Sequence, residues 1–228
     1  PDKKKPGMSR CWAEFRALWI KELKLEWKQR YAFFGLLLYV GCTVIVVGLA
    51  FQRQMNPLSW NILFWIILLF VAINAVAKSF MTESPSQQRY LYTLAGPSAV
   101  MLTKILYNTL LLGVIGTLGF TLFSLIGGVK IEELPLFILI VWVVAWTLAA
   151  NLTLVSAIAS RAENRITLLA VLGFPLTVPV LLTAIRISRA AIEGLDATTT
   201  YSNLNFLLGL AALLTAISVV LFPALWRG

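Results

Sequence analysis

Apolar positions run along this chain in long unbroken blocks, and the charged positions are pushed to their ends. Stretches free of Asp, Glu, Lys and Arg cover 31–52, 54–77, 105–129, 134–160, 166–185 and 197–226. Each is about 20 residues or longer, the length a helix needs to cross the hydrocarbon core of a bilayer. Buried helices of a water-soluble protein would instead show shorter runs with a polar stripe at helical spacing. The pattern predicts an all-α polytopic membrane protein with six transmembrane helices, at about 31–51, 58–78, 99–127, 134–159, 166–186 and 203–226.

Between and before these spans the pattern changes. Residues 9–30, "SRCWAEFRALWIKELKLEWKQR", place Trp12, Phe15, Trp19, Leu23 and Trp27 on one side of a helix, with Arg10, Glu14, Lys21, Lys24 and Lys28 opposite. Leu18 and Leu25 fall on the polar side, and Arg16 and Glu26 near the apolar one, so the division is imperfect. Such a helix belongs in the headgroup layer, Trp toward lipid and Lys toward anionic phosphate. It serves either as a plain anchor or as an elbow against neighbouring subunits. The chain therefore divides into a basic segment with this interfacial helix, 1–30, and a single six-span domain, 31–228.

The largest connection is "AKSFMTESPSQQRYLYTLAGPSAVMLTK", 77–104. Residues 87–95 make a short amphipathic helix, stopped by Gly96-Pro97. This is an ordinary connector or a handle for a cytoplasmic partner. The segment 186–203 reads as a surface helix ending near Gly194, followed by a Thr-rich stretch that suits a loop or the cap of the last span. No internal repeat is visible.

Charge then orients the chain. It carries 19 Lys and Arg against 10 Asp and Glu, a net charge of +9. With the N-terminus cytoplasmic, only Arg53, Lys130, Arg186 and Arg189 fall outside, leaving 15 basic residues inside. Both termini are expected in the cytoplasm. The positive balance is thus a topology and membrane-surface signal and does not call for nucleic acid. The first apolar run is too long, and too far in, for a cleaved signal peptide. Cys11 and Cys42 fall on no metal-site spacing and are expected to form no disulfide.

Composition offers little chemistry inside the membrane. The chain has no His, and the six runs hold no carboxylate. A secondary carrier coupled to protons or sodium uses an ionisable residue at midmembrane. Intramembrane hydrolysis needs a nucleophile with a base, and metal catalysis needs His or carboxylate clusters. Ser156 and Ser218 have no basic partner in sight, so no catalytic or metal site is assigned. Asn74, Asn108 and Asn151 are the main buried polar groups by sequence, each an interhelical hydrogen bond or a site. Gly113, Gly116 and Gly119 form a small-residue stripe, for packing within the chain or between subunits. No phosphate-binding loop is present, so any ATP must be bound by another chain.

Within the fifth span stands "GFPLTVPVLL", 173–182, with prolines four apart. Each removes a backbone donor and frees the carbonyl four residues back, those of Val171 and Pro175. Thr177 or a neighbouring helix can take one of these. The pair makes a static kink or a point that bends.

Two stretches carry a family resemblance. "SFMTESPSQQRYLYTLAGPSAVMLTKILYN" resembles the loop between spans two and three of ABC-2-type permeases, where an acidic residue, a coupling helix, a Pro and a Lys recur; Glu83, Pro97 and Lys104 match. "RAENRITLLAVLGFPLTVPVLL" is similar to the fifth span of the haem exporter protein B family, CcmB, whose P-L-T-[IV]-P core stands at Pro175, Leu176, Thr177, Val178 and Pro179. The resemblance covers about 12–226. Many relatives carry a Gly-containing turn inside the coupling loop, where this chain has "QQRYLYTL".

The resemblance implies a permease subunit, itself no enzyme, in the bacterial inner membrane. It would work in an ATP-driven complex for haem export or handling in c-type cytochrome biogenesis. It implies two permease copies, two copies of a separate ABC ATPase that holds ATP and magnesium, a haem-handling membrane protein, a small single-span subunit and a haem chaperone. Glu83, Arg89, Tyr90, Tyr92, Leu94, Pro97 and Lys104 become the coupling residues, and Pro175, Thr177, Pro179 and Asn151 the translocation or hinge residues. Haem is then a substrate of the complex and no cofactor of this chain. Lacking His, the chain has no imidazole for haem iron, and Met8, Met55, Met81 and Met101 lie near span ends.

Overall fold

The computed structural model describes residue 19 and segments 30–51, 55–76, 96–160, 162, 164–194 and 197–227. These hold six helices: α1 (Arg30–Ala50), α2 (Pro57–Val76), α3 (Pro97–Gly127), α4 (Leu134–Ala159), α5 (Arg165–Glu193) and α6 (Ala197–Arg227). All six are long and apolar enough to cross a membrane. Together with the hydropathy pattern they make this a multi-pass membrane protein.

The helix starts follow local chemistry. Asn56 accepts the Ser59 N–H on its side-chain oxygen at 2.6 Å, and Pro57 fills the first position of α2, where no N–H is needed. Pro97 does the same for α3, with Gly96 O accepting from Ala99 and Val100. α3 thus starts at Pro97, two residues earlier than the pattern placed the third span, while the expected 87–95 helix lies outside the described residues. Gly128 and Gly194 close α3 and α5 with φ of 66° and 65°, the left-handed turn that glycine adopts without strain.

Two boundaries differ more. The fifth span does not end at Arg186 ahead of a separate surface helix: α5 runs unbroken to Glu193 and stops at Gly194. Its buried stripe of Val180, Ala184, Ile187, Ser188 and Ala191 continues past the arginine at helical spacing. The sixth helix begins at Ala197, so the Thr-rich stretch is its first turn and not a loop.

Neighbouring helices alternate in direction, as pairs such as Asn108–Thr153 and Leu152–Gly173 show. One end of the bundle, the basic end, holds the starts of α1, α3 and α5; the far end holds the starts of α2, α4 and α6. The axis of the bundle is α4, with 78% of its apolar window buried against α2, α3, α5 and α6, while α1 manages 17%.

Near the far end an aromatic core fills the space between α2, α3 and α4. Trp60 stacks on Phe123 at 5.2 Å and on Phe64 at 5.8 Å, and Phe120 stacks on Phe137 at 4.7 Å. The Trp60 indole donates to Phe123 O at 3.1 Å. Gly127 makes room for that indole, since a Cβ there would stand 2.5 Å from Trp60 Cδ1. Gly127→Ala should therefore cost about 1–3 kcal/mol by overpacking, read as a lower thermal midpoint in detergent. The glycine stripe of α3 packs within the chain: Gly113 lies under the Trp142 ring, Gly116 against Val141 and Leu68, Gly119 against Val40.

Candidate functional site

Pro175 and Pro179 stand inside α5 without interrupting it. One turn apart, they share a face, and that face is the exposed one, alongside Val171, Phe174, Leu176, Val178 and Leu182. The opposite face presents Gly173, Thr177 and Val180 to the bundle. Thr177 is 1% exposed, and its hydroxyl donates to Gly173 O at 2.7 Å, with Phe174 O at 3.1 Å as the alternative. It does not reach the carbonyls of Val171 or Pro175, contrary to the sequence expectation. Those carbonyls lie on the proline side of the helix, and Thr177 is turned away from them. Pro175 has no N–H to give Val171 O, and Pro179 has none for Pro175 O.

Asn151 of α4 is fully buried. Leu152 beside it packs on Gly173, with its Cδ2 3.7 Å from where a Cβ there would stand, so Asn151 sits at the depth of the Gly173–Thr177 turn. Val155, one turn along the same face of α4, packs with Leu169 of α5. Among the described residues no group donates to or accepts from either amide atom of Asn151. An unpaired buried carboxamide is expensive in hydrocarbon, and among the described residues both amide atoms of Asn151 are in that position.

The other asparagines divide. Asn108 Nδ2 donates to Thr153 Oγ1 at 2.8 Å, a buried bond that ties α3 to α4. Lys104, one turn toward the basic end, is 4% exposed despite its charge. Asn74 is exposed and donates to Phe70 O of its own helix at 2.9 Å, so it is not the buried interhelical group its apolar surroundings suggested. Glu83, Arg89, Tyr90, Tyr92 and Leu94 lie outside the described residues, as does the interfacial helix of 9–30 apart from Trp19 and Arg30. Pro97 heads α3.

A second polar set was missed in the sequence. Asn61 Nδ2 donates to Ile185 O at 2.8 Å, and the Trp65 indole donates to Ser188 Oγ at 2.8 Å. The Ser188 hydroxyl in turn donates to Asn61 Oδ1 at 2.7 Å or to Ala184 O at 2.5 Å. Beside it, the N–H groups of Glu132 and Glu133 donate to Ile192 O and Ala191 O, capping the last turn of α5. Asn61 stands in an apolar span just as Asn108 does, and the same rule applied to it would have marked it as an interhelical hydrogen-bonding group, without naming α5 as its partner.

Met55 and Met101 are buried, Met101 in the apolar cluster with Ile105 and Leu154. Among the described residues no three His, Cys, Asp or Glu side chains come together as a metal site.

The family model for CcmB protein matches residues 13–226. The chain belongs to the CcmB family. That match spans all six helices of this CcmB-family chain, the 77–95 connection and the proline pair. No individually curated protein matches it.

Proposed function

We propose that this CcmB-family chain is the membrane permease subunit of an ATP-driven complex for haem export or handling in c-type cytochrome maturation. The observation that carries this reading is the family match along 13–226 on a six-helix membrane bundle. The chain would sit in the bacterial inner membrane with both termini cytoplasmic, so that the basic end faces the cytoplasm. Two copies would pair with two copies of a separate ABC ATPase that holds ATP and magnesium, with a haem-handling membrane protein, a small single-span subunit and a haem chaperone alongside. Residues 1–30 would lie as an elbow on anionic lipid, and 31–228 would form the transmembrane domain. Closure of the ATPase pair would push on the 84–97 segment, with Glu83 and Arg89 pairing with its charges and Tyr90, Tyr92 and Leu94 filling its groove. Pro97 and Lys104 would carry the push into α3, and α5 would bend at Pro175, Thr177 and Pro179 against Asn151.

Affinity purification in mild detergent tests the reading directly. An ABC ATPase and haem-handling subunits should co-purify, and their consistent absence would overturn it. A second reading has support of its own: the chain has no His, and its described methionines are packed in the core. ATP-driven motion would then release a haem-loaded chaperone without haem crossing this subunit. Vesicles with all subunits separate the two, through haem in the lumen on one side or chaperone release without haem flux on the other.

Replacing both prolines, Pro175→Ala and Pro179→Ala, should raise the thermal midpoint, because interior proline costs a helix up to about 3 kcal/mol. The same change should lower cytochrome c maturation roughly tenfold, equivalent to about 1.4 kcal/mol on the limiting barrier. Unchanged maturation would leave the pair as a static kink.

A further inference from the structure

Past its first turn the central helix α4 has two exposed residues, Leu139 and Trp142, 48% and 37% open. They belong to one stripe at helical spacing, which continues through Trp146, Ala150, Thr153 and Ala157. Exposure falls along it toward the basic end: Trp146 is half-buried, and Ala150, Thr153 and Ala157 are closed off. The two neighbours of this stripe make the gradient. In the basic half, Val100, Met101 and Ile105 of α3 pack with Leu214 and Phe222 of α6 around Ala150, Leu154 and Ala157, so the two helices close over α4. In the far half they flank the stripe and leave it open. There Gly113 of α3 lies under the Trp142 ring, and Thr215 of α6 accepts from the Trp146 indole at 3.2 Å.

The result is a groove floored by Leu139, Trp142 and Trp146. Gly113 stands on one side, and Thr215 with Ala212 and Leu208, one and two turns before it, on the other. The hydroxyls on either side are spent within their own helices: Thr117, one turn on from Gly113, donates to Gly113 O at 2.7 Å, and Thr215 to Ala211 O at 2.7 Å. The lining is therefore apolar, and its depth says what fits. Leu134, where α4 starts, to Trp146 is twelve residues, about 18 Å at 1.5 Å per residue. One leaflet takes up about 15 Å, half of a hydrocarbon core about 30 Å thick. A transmembrane helix laid in the groove would run into the α3–α6 contact at midmembrane, whereas a lipid tail ends at that level. Lipid-facing Trp normally belongs to the interfaces and not to this depth, while a flat indole suits a methylene chain lying across it.

We propose that the groove between α3 and α6 is a binding site for one phospholipid of the far leaflet. An acyl chain lies on Trp142 and Trp146 and ends where Ala150 is closed off, with the headgroup level with the α3–α4 connection. The bound lipid keeps α3 and α6 apart in the far half, as their own side chains keep them together in the basic half. The site rests on packing alone and stands whether or not the chain works with an ATPase.

Tryptophan fluorescence tests it on the full chain in detergent, with phosphatidylcholine carrying brominated acyl chains added at low mole fraction. Quenching should saturate at one lipid per chain, and Trp142→Phe should remove most of the saturable part. Leu208→Phe with Ala212→Phe, both at exposed positions, crowds the groove and should weaken the saturable binding at least tenfold. Val46→Phe, on the exposed face of α1, should leave it unchanged. Quenching that rises linearly without saturating, or a saturable part that survives Trp142→Phe, overturns the site, since lipid then meets this face as it meets any other. Should the double variant fail to fold, as its thermal midpoint would show, Trp142→Phe decides alone. In intact cells a photoreactive residue at position 139 should give lipid adducts. A protein adduct there would show that a partner covers the groove, and would overturn the lipid.

Discussion

Deleting residues 87–95 together with Glu83→Arg should strip the ATPase from the purified complex and abolish c-type cytochrome maturation, with the six helices still folded. The connections at the basic end explain the size of the effect. Between α4 and α5 only 160–164 are available, whereas Val76 and Pro97 leave 20 residues between α2 and α3. By sequence, the 77–96 connection carries both charged residues and the aromatic pair Tyr90 and Tyr92, the composition a partner in the proposed complex would use. Tyr90 and Tyr92 are of the type that forms interface hot spots, worth about 2 kcal/mol or more each when buried. Losing both weakens binding by roughly three orders of magnitude, which empties a micromolar complex on a column. Reversal at Glu83 would add a repulsive element where the proposed coupling has an attractive one. Folding of the remainder is checked by thermal midpoint and gel filtration, since shortening a surface loop costs a folded bundle little. Retained association and maturation would show the coupling assignment to be wrong.

The helices were legible because each limit the bilayer sets is written in charge. Span four is bracketed by Glu133 and Arg161 and was placed at 134–159, where α4 stands. Charge marks where a helix leaves hydrocarbon, however, and not where it ends. Arg186 therefore misplaced the end of α5, which is set by Gly194 in the left-handed region. The site was legible in part. Pro175 and Pro179 declare themselves, since proline acts through its own backbone. The face they occupy does not, because α5 is apolar on every side along 166–185. The same ambiguity put Asn74 inside and concealed what sets Asn151 apart. An asparagine in an apolar run has no polar neighbours in sequence to show which way it turns, and only packing distinguishes exposed Asn74 from paired Asn108 and unpaired Asn151.

The largest loss of stability should follow Trp60→Ala. The indole is fully buried, stacked between Phe64 and Phe123 and edge-on to Phe120. Truncating a large core aromatic costs about 3–5 kcal/mol when the cavity cannot collapse. Here collapse is opposed from three helices at once, by Phe123 on α3, Phe137 on α4 and Phe64 on α2 itself. For a chain of this size the midpoint should fall by on the order of 10 °C. Trp60→Phe separates the two contributions: it keeps a stacked ring and loses only the bond to Phe123 O, worth about 1 kcal/mol. A Phe variant as damaged as the Ala variant would assign the stability to the hydrogen bond and not to packing. The consequence extends to α5, because Asn61 is the next residue and donates to Ile185 O. The far half of α5 thus takes its footing on the helix that carries this aromatic core. Trp60→Ala should then broaden the distribution of distances between spin labels placed at the exposed positions Lys130 and Arg186.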